Sequence, residues 1–195
     1  MVAIMTPLPL ILASSSPRRR QLLAAAGYAF TVAPPHESAE CGVCSRETPP
    51  ELVARLAFQK AADVAVRTER GIVIGCDTVA ECMGQILGKP ANREHARQML
   101  ELLRGRDHHV YSGLCLWRRP GETHFVEVEV TRLVMDPISD EQLAAYLATG
   151  DWEGKAGAFG YQDGLDWVHI VEGSESNVVG LPMERLAEML ETMST

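Results

Sequence analysis

Apolar residues along this chain follow two rhythms, and the alternation between them predicts a mixed α/β protein. Leu8 to Ala13 is a short apolar run bounded by turn chemistry, the pattern of a buried strand. Ser16 is a favourable N-cap and Pro17 suits a first helical position. Together they open a helix with Leu22, Leu23 and Ala26 on its apolar side and Gly27 as its stop. Tyr28 to Ala33 predicts a second strand, closed by the turn Pro34-Pro35-His36-Glu37, and residues 38–49 show no period. Glu51 to Thr68 has helical spacing, with Leu52, Val53, Leu56, Ala57 and Val64 on one face. Gly71 to Cys76 is a continuous apolar run, as in a central strand covered on both sides, and it ends at Asp77-Thr78.

The second half keeps the mixture. Val79 to Leu87 predicts a hairpin turning near Met83-Gly84-Gln85. Asn92 caps a helix to Arg104, with Ala96, Met99, Leu100 and Leu103 inward and Gly105 beyond it. His109 to Arg118 and Thr123 to Val134 form an antiparallel pair around Pro120-Gly121. Val126, Val128 and Val130 alternate there with Glu127, Glu129 and Thr131, which predicts one buried face and one wet face. Ser139 and Gln142 make a capping box for a helix to Thr149, stopped by Gly150. A glycine-rich loop over residues 154–164, a strand from Trp167 to Val171, a polar loop from Gly173 to Asn177 and a closing helix from Leu181 to Met193 complete the chain. The expected organisation is one domain over residues 1–195: a mixed sheet with flanking helices.

Composition narrows the classes of function. The 195 residues are 46% hydrophobic and 23% charged, an ordinary globular balance long enough for a sizeable core. A net charge of −8 argues against a general nucleic-acid binder and makes the local cluster Arg18-Arg19-Arg20 more informative. Five cysteines, an odd number, point away from a disulfide framework and toward a reducing, cytoplasmic setting. Cys41 and Cys44 have the spacing of a zinc or redox pair, but no second pair lies nearby to complete four ligands. Met1 to Ala13 lacks a basic leader and contains Pro7 and Pro9, so it reads as a first strand rather than a signal peptide. No stretch approaches the roughly 20 apolar residues of a membrane span.

Candidate chemistry gathers around phosphate. The run Ser14-Ser15-Ser16-Pro17-Arg18-Arg19 places free amides, the positive end of a helix dipole and guanidiniums beside a strand end, where a polyanion can be held. Its plainer reading is a capped surface helix with solvated arginines. Lys60 projects from the apolar stripe of its helix; it either snorkels to the edge of the core or presents a cation at a cleft. Asp77 is either a capping aspartate or an acid at the carboxyl end of a central strand, where ligands of open α/β sheets collect. Lys89 and Lys155 add two loop cations able to neutralise a polyphosphate. Glu37 and Asp77 are a carboxylate pair of the kind magnesium uses with substrate phosphates.

Taken as ordered blocks, these segments resemble the Maf family of nucleoside triphosphate pyrophosphatases over nearly the whole chain. The blocks are residues 12–19 (Leu-Ala-Ser-Ser-Ser-Pro-Arg-Arg), Glu37, Lys60-Ala61, residues 74–79 (Ile-Gly-Cys-Asp-Thr-Val) and 86–90 (Ile-Leu-Gly-Lys-Pro). They continue with residues 96–100 (Ala-Arg-Gln-Met-Leu), 155–162 (Lys-Ala-Gly-Ala-Phe-Gly-Tyr-Gln) and 176–182 (Ser-Asn-Val-Val-Gly-Leu-Pro). The resemblance implies two lobes around a deep cleft, an architecture related to inosine triphosphate pyrophosphatases. It also implies cleavage between the α- and β-phosphates, a divalent cation (magnesium or manganese) and a homodimer, with no stable nucleic-acid or membrane partner.

Residue by residue, the resemblance makes Asp77 the proton acceptor for water and Glu37 its acidic partner, the two together holding the metal. Lys89 joins them as a catalytic residue, and Arg18, Lys60 and Lys89 hold the triphosphate, assisted by Ser14 and Lys155. Arg19, Thr78 and Gln162 match positions of base choice and point to the branch acting on dTTP and UTP. Gln162 carries both a donor and an acceptor for a uracil or thymine edge, although loop backbone groups could equally occupy it. Purine-directed pyrophosphatase activity, and a nucleotide- or DNA-binding role in septum formation, are the competing expectations. The chain departs from the family pattern at His36, where an acid is common before Glu37, and at Gly154, where an aspartate is common before Lys155. Ser174 and Asn177 match a family loop and are expected to be structural.

Overall fold

The computed structural model describes residues 8–40 and 47–194, so the Cys41/Cys44 pair lies outside the described residues. A seven-stranded sheet carries the fold, in the order β2-β1-β3-β5-β6-β7, with β4 paired to the far end of β3. Strands β1 (Leu10–Ala13), β2 (Phe30–Val32) and the first part of β3 (Gly71–Cys82) are parallel. The hairpin strand β4 (Gln85–Leu87), β5 (Asp107–Arg119), β6 (His124–Met135) and β7 (Val168–Glu172) join antiparallel. This is the expected mixed α/β architecture.

The predicted caps operate as read. Ser16 accepts from the Arg19 amide at the start of α1 (Pro17–Ala25), and Asn92 accepts from the His95 amide at the start of α3 (Arg93–Leu103). Ser139 and Gln142 form the capping box of α4 (Asp140–Thr149), and Gly150 ends that helix in the left-handed region. Met83 and Gly84 both adopt positive φ, the backbone of a tight two-residue hairpin turn between β3 and β4.

Three expectations need correction. Strand β3 does not stop at Asp77 but runs on to Cys82. What ends there is the parallel neighbour: β1 pairs with β3 only as far as Ala13 opposite Gly75. Asp77 and Thr78 therefore lie in mid-strand, just past the point where β1 turns away into α1. In β6 the buried side changes along the strand, so Val130 is exposed while Thr131 is fully buried. Val126 and Val128 pack toward the long helix α2 (Pro49–Ala65), whereas Leu133 and Met135 belong to the core on the other side of the sheet. The polar loop at Gly173 to Asn177 is in fact the start of a short helix, α5 (Glu175–Val179), capped by Ser174 and followed by the closing helix α6 (Met183–Ser194).

Alternate residues of β3 serve different layers. Val73, Gly75 and Val79 face α2 together with Ala57, Ala61, Leu52 and Val53. Ile72, Ile74 and Cys76 face the opposite way, into a core shared with Leu23 of α1 and Leu186 and Met189 of α6. Farther along that same side, Ala80 and Cys82 join a second core with α3, α4, Trp152 and Phe159. Thr78 lies between the two cores. The expected pair of lobes is thus two apolar clusters on one side of one sheet, separated by a polar gap.

Helix α2 rests directly on the sheet because two facing residues are glycine. A Cβ on Gly75 would overlap the carbonyl of Ala57, and one on Gly113 would overlap the carbonyl of Val53. Gly113→Ala must lift the helix or distort β5, at a cost of about 2–3 kcal/mol. A thermal melt should show the midpoint falling by roughly 5–10 °C; an unmoved midpoint would mean that α2 can shift freely.

His108 lies fully buried beneath Phe159, with Nδ1 donating to the Arg106 carbonyl at 3.3 Å and Nε2 unpartnered. Burial pushes its pKa down to about 4. The unfolded chain binds a proton below about pH 6.5 whereas the folded chain resists until about pH 4, so stability complete above that window is lost on acidification. His108→Gln should flatten the decline in melting temperature between pH 7 and pH 4.5. An equally steep decline would assign acid sensitivity to other groups.

Candidate active site

A cleft of about 300 Å³ opens where β1 turns into α1. Its floor is the strand-to-helix corner, and Ser14, Ser15, Ser16 and Arg18 line it together with Arg19. Lys60, Lys89 and Lys155 bring cations from α2, from the segment after β4 and from the glycine-rich loop. Thr78 and Gln162 also face it. Eight of the ten predicted site residues therefore share one cavity, although they are spread from residue 14 to residue 162.

Asp77 reaches this cavity through Lys60. The Lys60 Nζ donates to Asp77 Oδ1 at 2.7 Å, and both side chains are largely shielded from water. The sequence left Lys60 between a snorkelling lysine and a cleft cation; the structure gives a buried cation at the cleft, paired with an acid. The geometry follows from the close seat of α2, since Gly113 stands directly across from Asp77 in the β3–β5 register. Glu37 is different. It is exposed at the start of a 3-10 turn (Glu37–Glu40) and is not among the residues lining the cleft.

Arg19 is buried and held by three acceptors. Nε donates to the Gly180 carbonyl at 2.7 Å, and the two terminal nitrogens donate to Ser14 Oγ and Thr78 Oγ1, each at 3.2 Å. These account for three of the five N–H groups of a guanidinium. Thr78 Oγ1 lies 2.8 Å from Ser112 Oγ and 3.3 Å from Gly180 O, and its single proton serves one of these two acceptors at a time. Ser112 continues to the Asn177 carbonyl, and the Asn177 amide donates to Val110 O and Thr131 Oγ1. Asn177 is structural, as expected, and these groups fill the polar gap between the two cores, with Asn177 Oδ1 a buried acceptor there that has no partner among the described residues.

Arg18 is more open. It donates to the Gly154 carbonyl at 2.8 Å, tying α1 to the start of the glycine-rich loop. Burial and the neighbouring Arg19 charge lower its pKa, while Asp163 opposes that shift. Lys155 is buried against Asp163, with which it forms an ion pair.

The sequence reading missed Gly180, Val178, Val179 and Phe159 as cleft residues. Val178-Val179-Gly180 lay inside a matching block, but a five-residue helix has too few positions to show a period. Among the described residues, no three His, Cys, Asp or Glu side chains converge on a point that could hold a metal. Magnesium needs only one or two carboxylates when phosphate oxygens and water complete its shell, and Asp77 beside the cationic cleft suits that demand.

The same fold is found in a Staphylococcus aureus Ham1 protein structure, with a TM-score of 0.55 at 12% identity, covering 95% of this chain and 99% of that one. The chain belongs to the Maf-like protein family, whose model matches residues 9–193. A Rhodopirellula baltica protein named dTTP/UTP pyrophosphatase is 62% identical over 95% of this chain and 82% of its own length. Proteins of the same name from Pelotomaculum thermopropionicum and Symbiobacterium thermophilum are 43% and 45% identical. Each match spans 93% of this chain, with 95% and 92% of the respective relative. No helix among the described residues is long and apolar enough to cross a membrane.

Arg19→Ala would leave the Gly180 carbonyl and the Thr78–Ser112 pair short of a donor within the core. A loss of about 2–3 kcal/mol in urea unfolding is expected. Arg19→Lys should recover only part of it, because one ammonium cannot reproduce the three-way fork. Equal stability of the lysine variant and wild type would show that charge alone suffices.

Proposed function

We propose that this chain is a nucleoside triphosphate pyrophosphatase that hydrolyses dTTP and UTP to the monophosphate and pyrophosphate. The observation that carries this reading is the 62% identity over nearly the whole chain to a protein of that name. The cationic cleft with a shielded Lys60–Asp77 pair at its wall supports it chemically.

In this mechanism the triphosphate lies across the start of α1, where the positive end of the helix dipole favours anions. Arg18, Lys89 and Lys155 neutralise the phosphates and meet the charge that grows on the departing pyrophosphate. Asp77 accepts a proton from the attacking water, and Lys60 fixes its carboxylate from one side at 2.7 Å. A divalent cation, magnesium or manganese, would be held by Asp77 with phosphate oxygens and water and would polarise those oxygens; Glu37, outside the cleft lining, would join as its second carboxylate only by turning toward Asp77. Thr78 and Arg19 shape one wall of the cleft, and Gln162 offers a donor and an acceptor to a pyrimidine edge. The buried free thiols Cys76, Cys82 and Cys115 suit a reducing, cytoplasmic setting. A homodimer completes the proposal and is checked by light scattering.

Pyrophosphate release across a panel of nucleoside triphosphates, with and without chelator, is the test. dTTP and UTP should lead, and chelation should abolish turnover. Purine triphosphates faster by tenfold or more would overturn the base assignment. Asp77→Asn keeps the shape and removes the base, so a loss of roughly a hundredfold or more in kcat is expected. Near-normal turnover in that variant would move the proton acceptor elsewhere.

A further inference from the structure

We propose that Val179 is a specificity-determining residue: with Val178 it forms a fixed apolar shelf for the face of the nucleobase, and so separates a nucleotide from a bare polyphosphate. The inference rests on the reading of the cleft as a nucleoside triphosphate site and says which part of it the base occupies. It begins from an imbalance in the lining. Arg18, Lys60, Lys89 and Lys155 answer to phosphate, yet Val178 and Val179 line the same cavity and offer phosphate nothing.

The two valines differ in how they are used. Val178 packs against the core that contains Val110 and Phe159, both of which also line the cleft. Val179 is half-buried and joins none of the apolar cores among the described residues. Its apolar surface is therefore turned to the cleft rather than spent on the interior. A ligand that covers that surface removes it from water and gains affinity in proportion to the area covered.

The shelf is anchored at both ends. Just after Val179, the Gly180 carbonyl accepts from Arg19 Nε at 2.7 Å and lies 3.3 Å from both Thr78 Oγ1 and Cys76 Sγ. Just before Val178, the Asn177 carbonyl accepts from Ser112 Oγ at 3.4 Å. The Asn177 side chain is fully buried and donates to Val110 O and Thr131 Oγ1. Two valines between two pinned carbonyls have little freedom to retreat. A ligand that meets them pays no cost for ordering the protein.

The chemistry of the ligand follows from this division. A cleft with cations at one part and a rigid aliphatic patch at another suits an anion that carries a flat, weakly polar ring. A pyrimidine has apolar faces and an edge of donors and acceptors. The face suits Val179, and the edge suits the amide of Gln162, which lines the same cavity. The shelf thus supplies affinity for a base as such, and the edge contact supplies choice among bases.

Calorimetric titrations with the α,β-imido analogue of UTP and with inorganic tripolyphosphate, at constant magnesium, test this without turnover. Val179→Ala should weaken the nucleotide analogue by roughly fivefold and leave tripolyphosphate unchanged. The melting midpoint should stay at the wild-type value, since Val179 belongs to no core. Val179→Thr keeps the branched shape and exchanges one methyl for a hydroxyl, so it should lower the same affinity ratio by a smaller factor. An unchanged ratio in the alanine variant overturns the shelf, as does equal weakening of both ligands, which would make Val179 a packing residue. Should the alanine variant fail to fold, the threonine variant decides by the same ratio. Failure of the nucleotide panel would overturn the proposed reaction but not this result, because the ratio is read from binding alone.

Discussion

The site depends on how closely α2 lies on the sheet. Gly75 and Gly113, on adjacent strands, leave no side chain beneath the helix, so the helix backbone meets strand backbone directly. That contact fixes the height of every α2 side chain above the sheet, Lys60 included. A lysine in an apolar stripe would otherwise carry its charge outward. Here it is brought down onto Asp77, the cross-strand neighbour of Gly113, and the resulting pair is shielded from water on most sides. The apolar packing of Ala57, Ala61 and Val64 against Val73 and Cys115 supplies the force that holds the helix in place.

Much of this architecture was legible because it is written locally. Caps at Ser16, Asn92 and Ser139, the stop at Gly150 and the turn at Met83-Gly84 act within a few residues of where they stand. The inward face of α3 is the predicted set Ala96, Met99, Leu100 and Leu103. The features that escaped are those set by distant partners. Nothing near Asp77 says that β3 continues, since the change at that point is the departure of β1. Likewise, Thr131 looks like a wet-face residue until Asn177, far along the chain, supplies its hydrogen bond.

The candidate site divides in the same way. Its residues were identified as blocks, and the fold brings Ser14, Arg18, Arg19, Lys60, Thr78, Lys89, Lys155 and Gln162 to one cavity. Their internal pairing could not be read from the blocks. Asp163 is eight residues from Lys155 in an aperiodic loop. Gly180, with no side chain at all, contributes through a carbonyl that receives both Arg19 and Thr78. Backbone acceptors leave no trace in residue type.

Asp77 and Thr78 are consecutive, yet the strand's alternation sends one toward α2 and the other into the gap between the cores. Register is therefore indivisible here: a slip by one residue would put Thr78 where Asp77 stands and Val79 where Thr78 stands. The reverse also holds. Because the two side chains occupy separate layers, inheritance can treat them as separate traits. A descendant could remodel the surroundings of Thr78 while leaving the Lys60–Asp77 pair untouched, and so diverge in what it admits without rebuilding how it is held together.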